Sequence, residues 1–291
     1  MNDEYKIKSL APTDWPALLH EIPDPPQKLF VRGALPSGDV RMLAVVGSRK
    51  CSTYGKDVCE RLISGLAGYP VCIVSGLALG IDAIAHESAL RADLPTIAIP
   101  GSGLSDEALY PRAHLGLSRK IIASGGALMS EFEPNFKATD WSFPQRNRIM
   151  AGISHAVLII EASEKSGTLI TARLGMEYNR NVLIVPGPIF SPFYEGSNAL
   201  LRVGAEAITS SENILDALGI PVVDKKISTD TFPADVSENE RRLLELLSEP
   251  LSRDDLIRTS GMPAHTILIL LSTLEIKGII VERLGKIERI R

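Results

Sequence analysis

Between Arg41 and about Leu218 the chain repeats one hydropathy motif: a short, almost unbroken apolar run, then a longer stretch whose apolar residues recur at helical spacing. The runs read "RMLAVVG", "VCIVSG", "TIAIPG", "ALMSEF", "AVLIIEA" and "VLIVPG", and most end on a glycine or a small or polar residue. A strand covered on both faces has no polar side to alternate with, so these runs predict interior strands of a parallel sheet. The spacers predict right-handed βαβ crossovers. The expected fold class is α/β, with a doubly wound, mostly parallel Rossmann-like sheet over residues 41–220. Ligands of such a sheet bind outside the carboxyl ends of its strands, where helix N-termini also point.

The pattern changes on either side. Residues 1–40 include "HEIPDPPQKLFVRGALP", too proline-rich for a long helix, and predict an irregular N-terminal lead-in packed on the sheet. Residues 221–236 are polar, lack apolar periodicity and read as a linker. Residues 237–291 predict a small winged-helix domain. "SENERRLLELLSE" opens on a capping box of Ser237 and Glu240, two more helical stretches follow, and the β-like runs "IIVERL" and "KIERIR" flank Gly285. The third of these helices, "HTILILLSTLEIK", is mostly apolar, which favours a protein-contact or structural role over base reading.

With 291 residues, 45% of them hydrophobic, the chain can bury a full core, and its length suggests about two domains. No apolar stretch approaches the ~20 residues of a membrane span, and the start lacks the form of a secretory signal. Three cysteines without a CxxC pair and five scattered histidines argue against a disulfide framework or structural zinc, so a cytoplasmic setting is expected, with no metal or cofactor. The net charge of −4 disfavours bulk attraction to nucleic acid or to an anionic membrane. Any anion site must therefore be local, which makes clustered cations informative.

Such clusters stand at the predicted strand ends. "VVGSRKCSTYG" offers Gly47 for a tight turn, the Ser48 hydroxyl, and Arg49 and Lys50 where a helix with free amides begins. "SGLALGIDAIAHESAL" has a loop between Gly76 and Gly80, but no GxGxxG and no acidic residue to hold a ribose, which excludes a nicotinamide site. Asp82 and His86 lie four apart on one helical face; a carboxylate and an imidazole can meet there, although packing or capping is the simpler use. "EASEKSGTL" brings Lys165, Ser166, Gly167 and Thr168 to a helix start, an anion cradle or a plain N-cap. Asn198, in a long Gly/Pro/Ser loop, is a further candidate for the same face. "FPQRNRIMAG" places Phe143, Arg146, Asn147 and Arg148 between the fourth and fifth runs, where arginines can take phosphates bidentately and the ring can stack on a base. There is no GxxxxGK[ST] and no GxSxG elbow. Cations, hydroxyls and amides without proton-transfer machinery are the profile of a site for a phosphodiester chain.

With those loops read, "VGSRKCSTYG", "SGLALGIDAIAHESAL", "SEFEP", "FPQRNRIMAGISHAVLIIEASEKSGTLITARLGMEYNRNVLIVPG" and "EGSNALLRVGA" together resemble the DNA-processing protein A family of bacteria (DprA, also called Smf) from about Leu10 to Leu218, and the tail resembles the family's winged helix. The resemblance implies an extended Rossmann fold and a homodimer that binds single-stranded DNA, protects incoming strands and loads RecA recombinase in natural transformation, with no reaction of its own. It implies that Arg49, Phe143, Arg146, Asn147 and Arg148 line the strand-binding pocket, that Ser166, Gly167 and Thr168 complete its edge, and that dimerisation runs through the last Rossmann helices near "SSENILDAL". Two other readings compete. One is a Rossmann-type nucleotide phosphoribohydrolase, against which the missing acidic residue after "SGT" counts. The other is a winged-helix DNA-binding regulator, which would bind duplex through residues 237–291.

Overall fold

In the computed structural model the described residues are 6–222, 236–247, 250–283 and 285–289. The chain divides into two compact units, Met1–Val222 and Val223–Arg291. Of the expected linker, only residues 221, 222 and 236 are among the described residues.

The first unit is built on a nine-stranded sheet. Its first two strands come from the segment expected to be irregular. These are β1 (Ile7–Ser9) and β2 (Phe30–Gly33), antiparallel to each other. The prolines of "PDPP" bar a helix, but the four residues of β2 follow them and pair antiparallel with the end of the parallel sheet. The six apolar runs form β3 (Arg41–Val46), β4 (Val71–Ser75), β5 (Thr96–Ala98), β6 (Ala127–Ser130), β7 (Ala156–Ile159) and β8 (Asn181–Ile184), joined by a short β9 (Glu206–Ala207). The order is β1-β2-β6-β5-β4-β3-β7-β8-β9, parallel from β6 through β9.

The near-continuous hydrophobicity of the runs follows from their two covered faces. Leu43, Val45, Ile73 and Leu158 join a core with residues of α1 (Thr53–Ser64), α2 (Ile81–Arg91) and α7 (Ser211–Ala217). Their alternates Ala44, Val46, Val74 and Ile159 join a second core with α4 (Ser142–Ile153), α5 (Thr168–Glu177) and α6 (Glu195–Leu201). Each fully buried aliphatic side chain contributes about 1.5–3 kcal/mol. A strand with both alternations apolar is thus held from two sides. The remaining helix, α3 (Leu115–Ala123), packs Leu117, Ile121 and Ile122 into a third cluster.

From β3 the chain lays β4, β5 and β6 successively to one side, then returns through α4 to place β7 on the other side of β3. The strand order therefore reverses between β3 and β7, the position where open α/β sheets bind ligands.

The second unit has α8 (Glu238–Leu246), α9 (Arg253–Ser260), α10 (Ala264–Ile276) and a hairpin of β10 (Ile280–Arg283) and β11 (Lys286–Arg289) around a common core, a winged helix. The Ser237–Glu240 capping box forms as expected, and Glu240 also takes Lys277 Nζ at 3.0 Å. The third helix exposes Leu268, Ile269 and Ile276. All three cysteines are unpaired, and burial pushes the Cys72 thiol up to about 12. Among the described residues no helix is long and apolar enough to cross a membrane, and no His/Cys/Asp/Glu cluster could hold a metal ion.

Candidate nucleic-acid interface

At the carboxyl ends of β3 and β7 lies a cleft of about 420 Å³. Four segments line it: the loop after β3, the N-terminal half of α4, the loop that opens α5, and the connection from β4 into α2 with Ala78 and Asp82.

The loop after β3 is a turn held by its neighbours. Lys50 N donates to Ser48 Oγ at 3.1 Å, and Ile81 N donates to Ser48 O at 3.2 Å, docking the loop on the start of α2. Close approach explains two glycines. A Cβ at Gly47 would lie 2.6 Å from Ile81 Cγ1, and Gly80, at φ +78°, would put one 2.2 Å from Ser48 O. Gly80, a candidate as the end of the loop that Gly76 begins, stands beneath the loop after β3, where it shapes the wall. Arg49 and Lys50 are left exposed on the rim.

The N-terminus of α1 is not the free anion site expected from the sequence. Ser52 caps it by accepting from Gly55 N at 3.0 Å, and Ser52 N and Oγ both donate to the buried carboxylate of Glu161, at 3.0 and 2.8 Å. Tyr194 Oη donates to the same carboxylate at 3.3 Å. A protein anion already occupies this position, so the rim cations face the cleft without those amides. Sequence reasoning missed Glu161 because it closes an apolar run.

Phe143 and Arg146 stand in the first two turns of α4. Ser142 Oγ, 2.6 Å from Gly101 O, ties the helix start to the loop after β5. The Phe143 ring then lies over Gly101, where a Cβ would come within 2.6 Å of it. The Arg49 guanidinium sits 5.1 Å from the Phe143 centroid, and Tyr110 packs on the same ring at 5.7 Å. Arg146 is buried: Nη1 donates to Gly76 O at 2.6 Å and to Ile99 O, and Nε donates to Asn147 Oδ1 at 3.1 Å. Gly76 must lack a side chain because a Cβ would lie 2.1 Å from Arg146 Nη1. Burial lowers the Arg146 pKa to about 10, opposed by the nearby Asp82 carboxylate, so the guanidinium stays charged at neutral pH. Its Nη2 is the donor left over from these bonds.

Asp82 accepts from Gly76 N and Ala78 N at 3.1 and 3.3 Å, and burial raises its pKa. His86 turns instead to Thr96 Oγ1 at 2.7 Å, so the two side chains cap and pack without meeting each other. The cleft wall thus carries three cations, Arg49, Lys50 and Arg146, against one carboxylate committed to backbone amides. That local excess stands against the chain's net charge of −4.

The third segment supplies Ser166, Gly167 and Thr168. Ser166 Oγ accepts from Thr168 N at 3.2 Å. The N-cap of α5 is Gly167, which supplies no side-chain cap, and the space above it is open.

Not every expected residue joins them. Arg148 lies two positions beyond Arg146, where a helix has turned to another face. Its guanidinium meets Glu131 at 2.5 Å and Asp24 at 3.4 Å, outside the cleft. Asn198, expected in a loop, lies in α6, where its amide holds Gly187 O and N at 3.1 and 3.3 Å. Lys165 is exposed next to Ser166 without lining the cleft. Conversely, Tyr110 and Asp82 contribute to the site although only Asp82 carried a signal, its helical pairing with His86.

Comparison with known proteins bears on the family and the fold. The family model described as "DNA recombination-mediator protein A" matches residues 6–219, and that of the "DprA winged helix domain" matches residues 228–286. The chain is 36% identical to Protein Smf of Escherichia coli (strain K12) over 97% of this chain and 77% of that protein. It is 39% identical to DNA processing protein DprA of Bacillus subtilis (strain 168) over 70% and 68%. The X-ray structure of DNA processing protein A from Streptococcus pneumoniae superposes with a TM-score of 0.67 at 38% identity, covering 73% of this chain and 75% of that one. A structure from Helicobacter pylori, described for the single-stranded DNA binding mode of its DNA processing protein A, gives 0.64 at 30% identity, covering 75% and 98%. A fold, a cleft and a match along most of its length leave one conclusion: this chain belongs to the DNA recombination-mediator protein A family, DprA/Smf.

Proposed function

We propose that this protein is a non-enzymatic recombination mediator that holds single-stranded DNA in the cleft between β3, α4 and α5. One observation carries the reading: Arg49 and Arg146 flank the partly exposed Phe143 in a cleft whose cations outnumber its acids. A single strand offers what this wall lacks, phosphates for the guanidinium groups and an unpaired base for the ring. Base stacking contributes about 1–3 kcal/mol and tolerates any base, so binding is expected with little sequence preference. The relative from Helicobacter pylori, described as binding single-stranded DNA, supports the same reading.

In this reading the roles of the side chains divide. Arg146, fixed by two carbonyls, presents a donor whose position is set before DNA arrives. Arg49 is the exposed counterpart, resting on the Phe143 ring where an incoming phosphate can meet it. Ser166 to Thr168 supply hydroxyls and the positive end of α5. Protection of the strand and its delivery to RecA recombinase in natural transformation, by a cytoplasmic homodimer, complete the proposal.

The test is fluorescence anisotropy of a labelled oligothymidine against the matching duplex, followed by RecA filament formation on strands pre-bound by this protein. Preferential single-strand binding and faster filament growth are expected. Equal affinity for duplex, or release of free base from nucleoside monophosphates, would replace this reading with one of its competitors.

A further inference from the structure

A small notch opens beside the main cleft, lined by Leu79, Tyr110 and Pro111 together with Arg49, Phe143 and Arg146 of the cleft itself. Its volume is about 40 Å³, room for a few waters where about 10–15 Å³ holds one. That is too little to enclose a nucleobase, which could enter it only by an edge. Tyr110 and Leu79 nevertheless leave 47% and 50% of their surface to solvent, side by side at the mouth of a cationic site.

The notch is held in place. Tyr110 N donates to Ser102 Oγ at 3.1 Å, and His114 Nδ1 lies 2.7 Å from Leu77 O, tying the Leu79 loop to the Tyr110 loop. Leu77 itself is fully buried and takes a positive φ of 60°, a conformation that costs a non-glycine residue energy and persists only where the surroundings enforce it. The loop that presents Leu79 is thus a fixed feature. Among the described residues no carboxylate lines the notch.

We infer that the notch is a second base subsite: the nucleobase next to the one on Phe143 lies against the Tyr110 ring, with its edge toward Leu79 and Pro111. The inference rests on the proposed single-strand reading and adds a position to it. A strand is the occupant that fits, because the two sites share both arginines and Phe143. A chain threading one passes the other, and its bases bring flat apolar faces while its phosphates stay with the arginines. The Tyr110 and Phe143 rings are tilted by 54°, so two bases would be splayed rather than stacked on each other. Unstacked bases are what single strands supply and duplex does not.

The experiment is an abasic scan of a short oligothymidine, with affinities measured by anisotropy for the full chain and for Tyr110→Ala, Tyr110→Phe, Leu79→Ser and Phe143→Ala. The loss of one stacked base predicts roughly 5- to 140-fold weaker binding by Tyr110→Ala, which is 1–3 kcal/mol at 1.4 kcal/mol per tenfold. Tyr110→Phe should bind like wild type, because the ring and not the hydroxyl is used, and Leu79→Ser should fall between. Wild type should show two adjacent positions sensitive to base removal, and Tyr110→Ala only one, since an abasic site costs nothing where its partner is already gone. Wild-type affinity in Tyr110→Ala while Phe143→Ala binds weakly would overturn the notch and leave the cleft standing. Equal losses in Tyr110→Ala and Tyr110→Phe would also overturn it. No binding by wild type would remove the cleft reading and the notch together.

Discussion

Arg49 and Arg146 are both assigned to the strand, yet the structure holds them so differently that their removal should separate binding from stability. Arg49 is exposed, and its guanidinium rests on the Phe143 ring at 5.1 Å. An exposed cation–π contact contributes about 0.5–1 kcal/mol. Arg49→Ala should therefore change unfolding free energy by no more than about 1 kcal/mol. Arg146 donates to two buried carbonyls, Gly76 O and Ile99 O. Each buried group left without its partner costs about 1–3 kcal/mol, so Arg146→Ala should cost about 2–6 kcal/mol of stability. Against DNA the two should look alike: a hydrogen bond to a charged group contributes about 1.5–3 kcal/mol, roughly a 10- to 150-fold loss of affinity for either variant. The assay pairs urea unfolding followed by circular dichroism with oligothymidine anisotropy under conditions where both variants remain folded. Equal destabilisation by the two substitutions, or an Arg49→Ala protein that binds like wild type, would refute this division.

Phe143→Ala should weaken oligothymidine binding by about 1–3 kcal/mol while Phe143→Tyr preserves it, measured by the same anisotropy. Glu161→Ala leaves Ser52 N and Oγ without their buried acceptor and should cost about 2–5 kcal/mol of stability by urea unfolding; an unchanged midpoint would show that water replaces the carboxylate freely. His86 is buried with its pKa lowered from 6.5 to about 3, chiefly by desolvation. In that window the unfolded chain binds more protons than the folded one, so stability falls as pH drops. Between pH 7 and pH 5 the loss should be about 2 kcal/mol, and His86→Gln should flatten it; a pH-independent difference between the two proteins would contradict the assignment.

How much of this was legible in the sequence depended on the range of the forces involved. The six interior strands declared themselves because both faces of each are buried, as Leu43 and Ala44 illustrate on opposite sides of β3. β1 and β2 did not, because their pairing is decided by a distant neighbour: Phe30 sits opposite Ser130, and nothing local in "FVRG" announces it. Within the site, Gly47 to Lys50 and Ser166 to Thr168 were readable as strand-end loops of a doubly wound sheet. Arg146 and Arg148 carry the same chemistry two residues apart, and only the helical turn sends one to the cleft and the other to Glu131. Asn198 looked like a cleft residue because the Gly/Pro/Ser stretch around it reads as a loop, whereas it stands in α6 with its amide spent on Gly187. Tyr110 lies in an aperiodic loop, where sequence offers no indication of direction.

The central claim, that the cleft grips a strand through its phosphates, is tested most directly by the salt dependence of oligothymidine affinity. Single strands give a slope of about −0.7 per neutralised phosphate, so the three cations Arg49, Lys50 and Arg146 of the cleft predict a slope near −2 per chain. Arg49→Ala should shift it to about −1.4, and duplex should compete poorly throughout. A slope near zero, a slope untouched by Arg49→Ala, or duplex competing as well as the single strand would contradict the account.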